Sequence, residues 1–216
     1  MTSETRRLPL FPLHTVLFPG ATIPLQVFEE RYKEMMKVCL ESDGRFGVVL
    51  IKDGKEVGGA AIPHDIGTIA RVLTVNESSM DRLHITAIGE ERFQILEIIE
   101  DKPFITALVV ADEKSQKHEV SIQELKLARE TVSKHVSYLL SMSGGWINNT
   151  YAPSDPLRLS YFLAQILQVD MNERQRLLAM DSCEGRLTTC MAHIDKESSK
   201  LALSARIEMT LKFSRQ

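Results

Sequence analysis

Three cysteines, Cys39, Cys183 and Cys190, and six histidines, His14, His64, His84, His118, His135 and His193, are the side chains of this 216-residue chain best suited to metal or nucleophilic chemistry. Their spacing serves neither. No two histidines fall at H-x-x-x-H or H-E-x-x-H intervals, which would set two imidazoles on one helix face around an ion. Cys183 and Cys190 lie two turns apart, too far to chelate one ion without a third element, and only His193, which shares a helix face with Cys190, would complete a Cys/Cys/His set. Each cysteine reads instead as a small buried hydrophobe, and we expect no metal and no cofactor. The acidic pairs Glu29-Glu30, Glu90-Glu91 and Glu100-Asp101 are chain neighbours. In a strand, neighbours point to opposite faces and cannot act together as acid and base. The glycine pairs Gly58-Gly59 and Gly144-Gly145 are not followed by Lys-Ser or Lys-Thr and read as turns, because a phosphate-cradling loop needs G-x-x-x-x-G-K-[ST]. No nucleophile stands with a base, so the chain is read as non-enzymatic.

What remains is the chemistry of contact. Arg31 can meet a carboxylate of a ligand or form a surface or structural ion pair. Trp146, the only tryptophan, lies in the Gly-rich stretch 144–150, where it can anchor an interface or pack its own loop. Composition limits the partners. A hydrophobic fraction of 44% with 25% charged residues is that of a folded globular chain. A net charge of −3, a pI near 6.1 and 6% aromatic residues offer no sequence-wide attraction to phosphate backbones or anionic lipid. No apolar run approaches the roughly 18 residues that cross a bilayer. An odd set of cysteines suits a reducing compartment, so a cytoplasmic location is expected.

The elements that must position these side chains fall into two parts. Up to about Val110, runs at 22–28, 46–51, 68–75, 83–89, 92–99 and 104–110 are rich in Val, Ile, Phe and Thr and are separated by Gly, Pro, Asp or Asn, which predicts a compact β-barrel. Asp53-Gly54 is a turn signal, and 89–91 reads as a second hairpin. Pro9, Pro12 and Pro19 remove backbone donors and predict that the opening stretch runs at a sheet edge. One helix interrupts the strands at 29–40, with Tyr32, Met35 or Met36, and Cys39 or Leu40 recurring three and four apart. Beyond the charged stretch 112–119 the pattern turns helical. Ser121 with Glu124 forms a capping box ahead of Ile122, Leu125, Val132, Val136 and Leu139. Ser154-Asp155-Pro156 and Asp170 with Glu173 mark two more starts. A last helical stretch at 182–213, as one helix or two, offers a surface for a partner or a dimer.

Residues 8–13 (LPLFPL), 16–20 (VLFPG) and 24–35 (PLQVFEERYKEM) together closely resemble the opening of the Lon protease amino-terminal, substrate-binding domain. The resemblance continues at 46–50 (FGVVL), 67–71 (GTIAR), 89–95 (GEERFQI), 174–178 (RQRLL) and Arg186-Leu187, and so spans nearly the whole chain. It departs at 80–83 (MDRL), where family members often carry Asp-Gly-Arg. The resemblance implies an α+β fold: an N-terminal PUA-like β pseudo-barrel with one inserted helix over residues 1–114, followed by a C-terminal α-helical bundle over 115–216. It also implies a non-catalytic module that recognises polypeptide or unfolded segments, as a substrate selector or adaptor in proteolysis or protein quality control, possessing neither the Lon Ser/Lys dyad nor its ATPase loop. Phe18, Arg31, Tyr32, Met35 and Trp146 are the contact residues expected of such a module. The alternative is RNA binding through a PUA-like barrel, which needs a basic groove with stacking aromatics.

Overall fold

The computed structural model describes residues 5–78, 82–99, 102–111, 120–142 and 152–197. In chain order the elements are β1 (Thr5–Leu13), β2 (Thr22–Val27), α1 (Glu30–Leu40), β3 (Arg45–Gly54), β4 (Ala61–Ser78), β5 (Arg82–Ile99), β6 (Thr106–Ala111), α2 (Ile122–Met142), α3 (Pro156–Ile166), α4 (Met171–Ala179) and α5 (183–197). They form two compact units. One comprises Met1–Lys117 with Val169–Asp181, and the other His118–Gln168 with Ser182–Gln216. The expected α+β class is observed. All strands join one sheet of order β2-β5-β4-β3-β1-β6, and a further β5–β6 pairing turns the sheet back on itself.

Strand β5 makes this topology possible because it serves three neighbours. Its first half pairs β2, its end pairs β6 from Phe93 onward, and β4 runs along the other edge from Arg82 to Gln94. Residues 83–89 and 92–99 are therefore one 18-residue strand rather than two joined by a hairpin. The cause lies at Gly89. Its N–H donates to Ala21 O and its carbonyl accepts from Gly20 N–H, each at 2.8 Å. A Cβ there would stand 2.6 Å from Phe18 O, so this glycine admits a backbone contact instead of making a turn. Next to it Glu90 is the extra residue of a bulge, since Ile69 pairs Glu91 while Ala70 pairs Gly89. Its carboxylate accepts from Arg45 Nε at 2.7 Å and Arg71 Nε at 2.5 Å.

The expected edge position of the prolines also needs correction. Strand β1 lies between β6 and β3, yet it pairs β6 through Thr5–Pro9 and β3 through Leu10–Leu13. Each half is bonded along one side by these ladders, which leaves room for Pro9 and Pro12 inside the sheet.

Inside the first unit, Leu8, Leu10, Val49, Ile69, Phe93, Ala107 and Val109 form a buried cluster. Phe93 fits because Gly47 and Gly67 face it. A Cβ on either would approach the Phe93 ring to within 2.8 and 2.7 Å. Helix α1 buries Tyr32, Met35, Met36 and Cys39, the stripe its spacing predicts.

Strand alternation sends Arg92, the neighbour of Phe93, to the other face. There it is 2% exposed. Its Nη1 donates to Leu178 O and Met180 O at 2.9 Å each, and its Nη2 to the Asp181 carboxylate. These carbonyls are the unsatisfied acceptors at the end of α4, where positive charge is also favoured. Gln175 Nε2 donates to Ile66 O at 2.9 Å, and the Arg174 guanidinium lies 5.3 Å from the Phe18 ring centroid. Helix α4, entered about sixty residues after β6, is thereby a component of the sheet unit.

In the second unit the helix starts are those the sequence signals. Ser121 N–H and Oγ–H donate to Glu124, whose N–H donates back to Ser121 Oγ. Asp155 accepts from Arg158 N–H, and Asp170, at the start of α4 in the other unit, accepts from Glu173 N–H. Among the described side chains, α2 buries Ala128, Val132 and His135, whereas Ile122 is 86% exposed, so the first apolar residue does not enter the core. Arg186 is fully buried. Its Nη1 donates to Ser160 Oγ at 2.8 Å, and its guanidinium lies 4.2 Å from the Tyr161 ring centroid.

Two outcomes test these arrangements. Arg92→Met strips α4 of its charged donor and is expected to lower unfolding stability by about 3 kcal/mol. Arg92→Lys recovers only part of this, because one ammonium cannot reproduce the planar fork; chemical denaturation measures both. At Glu90, burial acts to raise the carboxyl pKa, but hydrogen bonds from Arg71 and Arg45 outweigh it and hold the pKa below the ordinary 4.5. A depressed carboxyl contributes stability above its unfolded pKa and loses it as pH falls through the folded one. The melting-temperature difference between wild type and Glu90→Gln should therefore be constant from neutral pH down to about pH 5 and shrink below about 4.5.

Candidate functional site

A groove of about 520 Å³ opens on the first unit, between the end of β1, strand β2, the start of α1 and the 55–60 turn. Its walls follow from local sequence. Strand β2 alternates, with Leu25 and Val27 buried and Thr22, Pro24 and Gln26 exposed. Phe28, the next position in the exposed phase, places an aromatic side chain on the outward face and stands 45% exposed at the groove, which Val57, 50% exposed, also lines. Beneath them Phe11 and Tyr32 pack together with ring centroids 4.3 Å apart and planes tilted by 33°. Burial pushes the Tyr32 phenol above its ordinary pKa, so it stays protonated at neutral pH.

The 55–60 turn is pinned to α1 through its backbone. Arg31 Nη1 donates to Gly59 O at 2.9 Å, and Glu29 accepts from Gly58 N–H at 3.2 Å. Arg31 pairs with the same Glu29 carboxylate at 3.1 Å and lies 4.5 Å from the Tyr32 ring centroid. On the other side, Glu56 accepts from His14 N–H at 2.7 Å. Gly54, with φ of 100°, turns the chain out of β3, and a Cβ there would fall 2.3 Å from Ala60 O.

Strand β2 is the last in the sheet order. The bond from Gly89 N–H to Ala21 O sets the phase of its ladder, so Ile23, Leu25 and Val27 direct their peptide groups to β5. Thr22, Pro24 and Gln26 direct theirs to the outer edge, where Pro24 has no N–H to leave unsatisfied. An exposed strand edge thus runs beside an apolar depression.

Of the five residues expected to make contacts, the structure brings Tyr32 to the groove wall and Arg31 to its supporting turn. Phe18 and Met35 are fully buried. Trp146 lies outside the described residues. Sequence reasoning missed Phe28, Val57 and Glu56. A signal existed for two of them: Phe28 is an aromatic in the outward phase that Pro24 and Gln26 share, and Val57 is the only aliphatic residue in the polar turn at 54–59. The cysteines are buried, and burial pushes the Cys39 thiol up to about 12 and that of Cys183 above its ordinary value. Among the described residues, no three His, Cys, Asp or Glu side chains gather as a metal site, and no helix is long and apolar enough to cross a membrane.

Solved structures and sequences converge on one relationship. The Lon N-terminal domain protein from Xanthomonas campestris superposes with a TM-score of 0.67 at 28% identity, covering 87% of this chain and 98% of that one. The N-terminal domain of Mycobacterium avium complex Lon protease shares the fold, with a TM-score of 0.68 at 16% identity over 88% of this chain and 98% of that one. Lon protease of Anaeromyxobacter dehalogenans is 24% identical over 95% of this chain, and that of Amoebophilus asiaticus 28% identical over 87%. The chain spans about a quarter of the length of these curated relatives, 25% and 24% respectively. Residues 7–196 match the ATP-dependent protease La (LON) substrate-binding domain, and the chain belongs to that family.

Proposed function

We propose that this chain is a polypeptide-recognition module that takes extended, apolar segments along the outer edge of β2 and into the adjoining groove. The observation that carries the reading is the pairing of a sheet edge, with outward peptide groups at Thr22, Pro24 and Gln26, and a depression walled by Phe28, Val57 and Tyr32. Strand addition supplies main-chain hydrogen bonds whatever the sequence, and the depression selects an apolar side chain. Family membership supports the same class of ligand. In this reading the sheet, turned on itself through β5 and β6, is a pseudo-barrel of the PUA-like kind that holds the edge rigid. Arg31 acts by fixing the 55–60 turn, Tyr32 touches the ligand, and Phe18 and Met35 support the wall from the core. The module would act as a selector or adaptor that presents polypeptides to a Lon-type protease.

The groove gives no support to RNA as ligand. Its charged lining residues are Glu29 and Glu56, and no lysine or arginine among the described residues lines it, whereas phosphate contact needs cations.

Phe28→Ser removes apolar surface at the groove from a residue outside the buried core. Its expected effect is a loss of about tenfold in affinity for a fluorescein-labelled, permanently unfolded polypeptide, with the cooperative thermal unfolding transition retained; fluorescence anisotropy and thermal denaturation measure the two. Equal affinity of variant and wild type would remove the groove from the recognition surface.

A further inference from the structure

Resting on the reading of the β2 groove as a polypeptide site, we infer that the segment it takes pairs an apolar side chain with a lysine or arginine two residues away, whose cation meets Glu56. The two carboxylates of the groove are not equivalent. Glu29 is compensated by Arg31 at 3.1 Å and by Gly58 N–H. Glu56 has a neutral partner, the His14 backbone N–H, and no lysine or arginine pairs with it among the described residues. It is half-buried at the rim, beside Val57. A carboxylate in that position loses part of its hydration when a ligand covers the groove, and a cation brought by the ligand restores the balance.

The spacing follows from strand geometry. In a segment added to the edge of β2, side chains i and i+2 lie on one face, and i+1 points away. An apolar side chain at i enters the depression walled by Phe28 and Val57, so the residue at i+2 is the next one able to reach the same rim. Charge at i+1 leaves net charge unchanged but faces away from Glu56, which separates local pairing from general attraction to a chain of net charge −3.

The test uses the full chain and labelled nonapeptides of serine and glycine carrying one phenylalanine, with arginine at i+2, aspartate at i+2, or arginine at i+1. At low salt the arginine i+2 peptide is expected to bind about fivefold more tightly than either of the other two. In Glu56→Gln, whose fold is checked by circular dichroism, the preference should disappear. Equal affinities of the three peptides, or a preference that survives Glu56→Gln, overturns the inference and leaves apolar recognition standing. Failure of every phenylalanine peptide to bind overturns the recognition reading and this inference with it.

Discussion

Arg92 stands where two stretches of chain about ninety residues apart meet. A guanidinium taken out of water is costly, and this one is held because three acceptors at the end of α4 converge on its fork. The need is mutual. The last carbonyls of a nine-residue helix have no partners of their own, and a short helix of this kind has little intrinsic stability in water. Gln175 and Arg174 add contacts from the same helix to Ile66 and Phe18. The pair Arg92-Phe93 thus does two things with adjacent residues: one face of β5 seals the sheet interior and the other holds α4.

Close backbone approach is the second constraint. Gly47 and Gly67 make room for the Phe93 ring, and Gly89 lets the 17–21 segment lie directly on β5. Thr68 adds a buried hydroxyl donated to Leu17 O. With that segment fastened, the chain enters β2 at a set height against β5, and the bulge at Glu90 takes up the extra residue. The ladder phase of β2, and hence which peptide groups face outward, is a consequence of the contact at Gly89.

The candidate groove inherits its rigidity from these fastenings. Its strand is bonded along its own length to the first half of β5, its floor is the packed Phe11–Tyr32 pair, and its far wall is a turn tied to α1 by Arg31 and Glu29. A binding edge held in this way gives up little conformational freedom on meeting an extended ligand. Arg31, at first sight a natural partner for a ligand carboxylate, is engaged by Glu29, Gly59 and Tyr32.

Local signals settled much about this protein. The α1 stripe, the capping boxes and Asx caps, the β-rich first part and the family motifs are all readable in the linear order, because capping and amphipathic period are contacts between residues a few positions apart. The partners of the motifs were not readable. The sequence marks Gly89, Arg92 and the RQRLL segment, but gives no indication that the first receives the 17–21 segment and the second the end of the third. A glycine in a strand and a glycine in a turn look alike until the approaching backbone is known, which is why 89–91 reads as a hairpin. The groove was hidden for the same reason: Phe28 and Val57 become neighbours only when β2 and the 55–60 turn are brought to one end of α1. Sequence by itself determined the element types and the family. Tertiary structure alone decided which edge stays open and which carboxylate is left without a cation, because both depend on contacts between residues far apart in the chain.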